Sequence, residues 1–241
     1  MIVNWCDGSR DLGIVPAMNP QESRLKIVVI GAHPDDPETC AGGLAAILSE
    51  RHEVTLAYLT RGEAGISGVD PAEAAITRTR ESLTACNLLN ARPLFLGQVD
   101  GQSVFDAAAR QALADQIDVL TPDIVLTHWP LDSHPDHQVC SSLVFWHWWH
   151  HGRSYELLFF EAMLGQQSSM FCPNLYADIT PVIDRKHAAC FAHASQNIQE
   201  IYEFSHGPME RHRGMEHGCQ YAEGYIRHPG NRLARLASAL S

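Results

Sequence analysis

From residue 25 onward, short β-branched runs alternate with longer segments of helical character. Leu25–Ala32 (LKIVVIGA) is a continuous apolar run of the kind that forms a strand buried on both faces, and it stops at His33-Pro34-Asp35-Asp36-Pro37. Residues 38–51 predict a helix, 54–59 a strand, and 71–89 a long helix with Ala74, Leu83, Ala85 and Leu88 inward. A short strand at 93–96, a helix at 103–120 and a strand at 123–128 follow. Strands alternating with helices of this length build right-handed βαβ units and a parallel sheet. The expected fold is therefore α/β: a three-layer, mostly parallel, Rossmann-like sheet with helices on both faces. Beyond Val139 the pattern loosens into a buried helix at 140–149, a weakly alternating strand at 155–160, and a strand end with a helix over 178–195. Residues 1–25 lack periodicity and read as a leader. No repeat or linker divides the chain, so 1–241 is expected to be one domain, with 197–241 a C-terminal segment able to cover a site.

Composition narrows the function. The chain has 241 residues, 45% of them hydrophobic, enough for a sizeable core. Lys+Arg 17 against Asp+Glu 28 gives a formal charge of −11, and only Lys26 and Lys186 are lysines. That balance argues against a non-specific nucleic-acid binder, which needs a basic surface to displace counterions. The seven cysteines are scattered without a C-x-x-C pair, which predicts reduced, mostly buried thiols rather than a disulfide framework. The N-terminus has no basic stretch followed by an apolar run, and no segment approaches 18 apolar residues, so a cytoplasmic protein without a membrane span is expected. Against two lysines stand 14 histidines, and histidine is the commonest metal ligand.

Two polar clusters follow predicted strands, at the sheet edge where parallel α/β folds bind ligands. One is His33-Pro34-Asp35-Asp36-Pro37-Glu38 and the other His134-Pro135-Asp136-His137. His33 and Asp36 can point at one centre, with His137 closing the set from across the crevice. Two imidazoles and a carboxylate with an open position for water match a catalytic zinc site, where the metal brings water's pKa near neutrality. Asp35 is then free to act as general base. His134 is free to stabilise an oxyanion or protonate a leaving nitrogen, and Asp136 to fix its tautomer. The bland alternative makes the aspartates helix caps, which accounts for one Asp in each cluster but not for two histidine-bearing loops. The aromatic, histidine-rich stretch 145–151 reads as a packing helix or subunit contact in preference to a second metal site.

AHPDDPE followed about a hundred residues later by HPDH resembles the LmbE-like zinc N-deacetylases, the family that includes PIG-L-type N-acetylglucosaminyl-phosphatidylinositol deacetylases. Thr60–Gly65 resembles the family's T-x-G-E-x-G loop, Arg78–Glu81 its R-x-x-E helix start, and Phe95-Leu96-Gly97 its third strand. Asp178-Ile179-Thr180 with Lys186, His193 and Gln196 resembles a later segment. The resemblance implies one zinc per chain on His33, Asp36 and His137, with Asp35 as base, His134 as acid or stabiliser and Asp136 as its orienter. It also implies Arg78 as a substrate-contacting arginine partnered by Glu81 and an N-acetylated sugar conjugate as substrate; family members commonly assemble, which leaves the oligomeric state, a homo-oligomer included, open. Some members place a carbonyl-polarising tyrosine where this chain has Asp132, so His134, Arg78 or one of Tyr202, Tyr221 and Tyr225 would have to serve. The same fold and metal would also suit hydration of an unsaturated acid, or a glycoconjugate-binding protein without turnover.

Overall fold

A computed structural model describes residues 24–163 and 167–240. Seven strands form one sheet in the order β3-β2-β1-β4-β5-β7-β6. They are β1 (Lys26–Gly31), β2 (Glu53–Tyr58), β3 (Arg92–Phe95), β4 (Ile124–His128), β5 (Glu156–Phe160), β6 (Leu175–Asp178) and β7 (Ala222–Arg227). The first five run parallel, and β7 is antiparallel to both β5 and β6. The chain passes from β1 outward through β2 and β3, then returns to lay β4 on the other side of β1. The crevice between β1 and β4 is thus the topological switch point where such sheets bind ligands.

Eight α-helices among the described residues complete the layers: α1 (Asp36–Leu48), α2 (Pro71–Leu89), α3 (Ala107–Leu120), α4 (Pro135–His150), α5 (Ile183–Phe191), α6 (Ile198–Tyr202), α7 (His206–His217) and α8 (Arg235–Ala239). Successive strand residues face opposite ways and build two cores. Ile27, Val29 and Leu56 join Leu44, Leu48, Leu89 and Ala189 on one face. Val28 and Ile30 join Leu113, Leu143 and Trp148 on the other. Up to β5 these elements follow the sequence pattern with three differences, and the elements from α6 to α8 are not anticipated by it. First, α3 starts at Ala107 because Asp106 caps it by accepting from Ala109 N–H at 2.8 Å. Second, α4 starts at Pro135, a residue suited to a first helical turn. Third, the inward face of α2 carries Ala74, Arg78, Ser82, Ala85, Cys86 and Leu89, while Leu83 and Leu88 are exposed. A buried arginine occupies the phase that apolar counting assigns to leucines. Most of the expected leader lies outside the described residues, and no helix among them is long and apolar enough to cross a membrane.

The C-terminal segment is fastened beneath α1 by buried charge. Lys186 Nζ lies 2.7 Å from Glu210 and 2.8 Å from Glu223. Glu223 in turn accepts from the Gly43 and Leu44 amides of α1 at 2.8 Å each, and from Tyr225 OH at 2.6 Å. Burial alone would lower the Lys186 pKa, but the two carboxylates raise it above its ordinary value. The helix that begins with Asp36 is thereby held from behind by residues almost 180 positions later.

Candidate metal centre and cavity

Both sequence clusters meet at the switch point. β1 ends at Gly31, where an added Cβ would stand 2.6 Å from Asp36 Cβ and Pro37 Cδ, so only glycine lets α1 begin this close to the strand. Asp36 Oδ2 accepts from the His33 amide at 2.7 Å. The same oxygen lies 3.3 Å from His33 Nδ1, 3.3 Å from His128 Nε2 and 3.4 Å from His137 Nε2. The rings of His33, His134 and His137 stand 4.7 to 5.3 Å apart by centroid. The expected ligands His33, Asp36 and His137 are therefore brought together, all buried.

Carboxylates hold the far nitrogens of two of these rings. His33 Nε2 is 3.1 Å from both Asp136 Oδ2 and Asp100 Oδ1. His137 Nδ1 is 3.2 Å from Asp132 Oδ1 and 3.0 Å from Gln167 Nε2. His33 Nδ1 and His137 Nε2 are left facing Asp36. Carboxylate–imidazole pairing on the outer nitrogen is how metal-ligating histidines are usually oriented. Burial would lower both imidazole pKa values, but the carboxylates outweigh it: His33 is raised well above its ordinary value and His137 to about 9. The cluster thus demands positive charge. The donor set, two imidazoles and a carboxylate with backing acids, fits a divalent cation such as zinc, which would displace those protons.

Asp35 stands beside this centre in a strained backbone, φ +112° and ψ −30°, and makes no helix-capping side-chain bond. The capping account of this aspartate therefore fails. Its Oδ2 accepts from Arg78 Nη2 at 2.8 Å, and Arg78 also donates to the Pro34 carbonyl. Burial raises the Asp35 pKa, and the Arg78 cation opposes the rise. The loop 60–65 wraps this guanidinium: at Gly62, φ +73°, a Cβ would meet Arg78 Cδ at 2.6 Å. Behind Asp35, buried Glu38 accepts from Tyr58 OH at 2.7 Å and lies 3.2 Å from His193 Nε2.

Several expected partnerships are rearranged. Asp136 does not put its carboxylate on His134; it holds His33 and accepts from the Gly101 and Ser103 amides at 2.7 and 3.3 Å. What reaches His134 is the Asp136 amide, which donates to His134 Nδ1 at 3.2 Å because His134 is the N-cap of α4. Arg78 is 3% exposed and committed to Asp35, so it is not poised as a substrate contact. Glu81 does not partner it but accepts from Ser195 N and Oγ, both at 2.7 Å. Asp132 accepts from the His134 amide at 2.8 Å and from Ser168 at 3.3 Å besides facing His137. Tyr202 and Tyr225 donate to Glu210 and Glu223, away from any carbonyl-polarising position.

Sequence reasoning missed Asp100 and His128. Asp100 follows β3 in a Gly97–Gly101 loop at the ligand-binding edge of the sheet, a signal that was present. His128 ends β4, accepts the Ala32 amide on Nε2 at 3.0 Å and stacks on His137 at 3.8 Å. Burial, with His137 nearby, lowers its pKa to about 4. A cavity of about 240 Å³ opens over the centre, bordered by Asp35, Asp36, His137, Gln167, Gln196 and His206. Ile198 and Ile201 from the C-terminal segment also line it.

A cluster of histidines and carboxylates that could hold a metal ion, at the switch point of a three-layer α/β sheet, defines the class. Residues 28–147 match the family model described as PIG-L, GlcNAc-PI de-N-acetylase, and the chain belongs to this PIG-L (LmbE-like) family. Solved structures share the fold. The N,N'-diacetylchitobiose deacetylase of Pyrococcus horikoshii is 24% identical with TM-score 0.76, over 85% of this chain and 84% of that one. A conserved protein of Thermus thermophilus is 27% identical with TM-score 0.74, over 87% and 97%. The 4-carboxy-2-hydroxymuconate hydratase of Pseudomonas putida is 23% identical with TM-score 0.77, over 87% and 98%. No curated protein sequence matches the chain.

Proposed function

We propose that the protein is a zinc-dependent hydrolase that removes the acetyl group from the amide of an N-acetylated amino sugar or its conjugate. The observation that carries this reading is the juxtaposition of two carboxylate-backed imidazoles and Asp36 with a separate, partly accessible Asp35 in one cavity. Family membership and the deacetylase among the structural neighbours support it.

Zinc held by His33, Asp36 and His137 would supply a Lewis acid and an acidified water. Asp35 takes the proton from the attacking water as its oxygen bonds to the acetyl carbon, and passes that proton to the amine as the C–N bond breaks. Acetate and the free amine are the products. Arg78 keeps Asp35 ionised and aimed despite its burial. His134 accepts the Asp136 amide on Nδ1, so its neutral tautomer carries hydrogen on Nε2, a donor for the carbonyl oxygen as charge develops there. Burial, together with the positive charge of His33 and His137, lowers the His134 pKa and favours that neutral form. His206, with its Nδ1 buried and unpartnered, and Gln196 line the part of the cavity where the sugar would sit.

Acetate release from a panel of N-acetylated sugars by the zinc-loaded protein tests the activity, with hydration of an unsaturated dicarboxylate assayed beside it. Asp35→Asn is expected to keep zinc while turnover falls about 10²- to 10⁴-fold, the usual worth of a positioned base. His33→Ala is expected to lose the metal. Near wild-type turnover in Asp35→Asn removes the base assignment, and hydration without acetate release removes the deacetylase reading.

A further inference from the structure

On the far side of the sheet, α3 and α4 bring together three groups that the proposed reaction does not use. Asp118 lies on α3, His147 in the last turn of α4, and His151 is the residue that ends that helix, one turn after His147. The two imidazole rings stack at 4.1 Å. Asp118 Oδ1 lies 3.2 Å from His147 Nε2 and 3.5 Å from His151 Nδ1. The three ligand atoms all fall within 4.8 Å of one another. Bonds of roughly 2.0–2.1 Å at tetrahedral angles put ligand atoms about 3.3 Å apart, so the two Asp118 distances already have the length of edges around zinc.

The setting of the His147 ring adds a second observation. Tyr155 OH stands 3.1 Å from His147 Nδ1 and 3.3 Å from the Val144 carbonyl, and so holds the ring from behind. His147 Nε2 is thereby presented to the Asp118 carboxylate oxygen at 3.2 Å. A hydrogen bond on the outer nitrogen is how metal-ligating histidines are usually oriented.

We propose that Asp118, His147 and His151 form a second divalent-cation site, of the imidazole-preferring class that includes zinc, which ties α3 to the end of α4. His147 is 1% exposed, whereas the side chains of Asp118 and His151 are 57% and 31% exposed. The cation enters from solvent, and its remaining coordination position stays open to water or a ligand from outside. Because binding is linked to the folded state, saturating zinc raises the melting temperature of any variant that retains the site.

The test is a chelator-buffered zinc titration of the whole protein, with metal per chain measured directly. Wild type is expected to take two ions per chain, Asp118→Ala and His151→Ala one each, and His137→Ala one that Asp118→Ala then removes. Both altered side chains at the new site reach solvent, and unchanged melting without zinc confirms intact folding. A zinc-dependent rise in the melting temperature of His137→Ala, absent from His137→Ala/His151→Ala, gives a second reading. One ion in wild type that His137→Ala removes, or two retained in Asp118→Ala and His151→Ala, overturns the proposal. Because the counts come from metal and not turnover, failure here leaves the deacetylase reading untouched, and failure of that reading leaves these counts standing.

Discussion

Replacing Arg78 by methionine separates two roles for the same residue. Its guanidinium is 3% exposed and donates to Asp35 Oδ2 at 2.8 Å. Asp35 already has its pKa raised by burial, and Arg78 is the largest influence holding it down. A cation this close lowers a carboxylate pKa by about 1–3 units, or roughly 1.4–4 kcal/mol. Point charges at 2.8 Å in an effective dielectric of about 20 give about 6 kcal/mol, an upper bound because water reaches part of the Asp35 side chain. Arg78→Met should therefore move the acid limb of the kcat/KM profile upward by about 1–3 pH units. Activity should return toward the wild-type plateau once the pH passes the new value, because ionised Asp35 is the working form. Arg78→Lys keeps a charge without the fork and should shift the limb less. Steady-state acetate release across the acid and neutral range, with metal content and melting measured alongside, reads this out. A raised KM with the acid limb in place would refute the positioning role and restore Arg78 as a substrate contact.

Asp132→Asn keeps the shape of the His137 partner but removes its charge, so zinc affinity should fall about 10- to 100-fold in a competition titration, and unchanged affinity would detach Asp132 from the centre. Lys186→Met leaves Glu210 and Glu223 buried without their shared cation, and should cost about 3–5 kcal/mol by urea unfolding; a loss under about 1 kcal/mol would mean the network does not anchor α1. The metal-free protein should lose stability on the alkaline side. His137 has its pKa raised to about 9 against an unfolded value near 6.5, so its contribution is complete below about 6.5 and is lost as pH rises through 9. The shift is worth about 3 kcal/mol, and zinc should abolish that slope; equal stability of the chelated protein at about pH 6 and about pH 9.5 would contradict it.

The parallel half of the fold was legible because each strand there is a short, mostly apolar run that alternates with a longer helical segment. The edge beyond β5 was not. β7 pairs antiparallel with both β5 and β6, and Ala222–Arg227 carries Glu223 and Arg227 in positions that alternation alone cannot assign to a buried strand. Glu223 is buried because Lys186 and two α1 amides meet it, a compensation that exists only after folding. The same reason hid the inward phase of α2. Arg78 occupies the buried face because Asp35 and the Pro34 carbonyl wait there, and a pattern that counts apolar residues looks for leucine instead.

The site divides along the same line. The meeting of His33, Asp36 and His137 was legible because two short motifs stand at strand ends on either side of the switch point. Which carboxylate supports which imidazole was not legible, since that depends on loops meeting across the sheet. Sequence proximity pairs Asp136 with His134, two residues away. The structure instead uses the start of α4 to send the Asp136 carboxylate across to His33 from the β1 loop, while the Asp136 amide sets the tautomer of His134. One residue thereby serves both motifs: its side chain orients the His33 imidazole beside Asp36, and its backbone donates to a ring nitrogen of His134. Asp132 has the matching place on His137, so the position where some relatives have tyrosine here holds a carboxylate facing the nitrogen of the His137 ring that points away from Asp36. With that position committed, the proposed reaction assigns carbonyl polarisation to His134, whose donor Nε2–H follows from its being a helix cap.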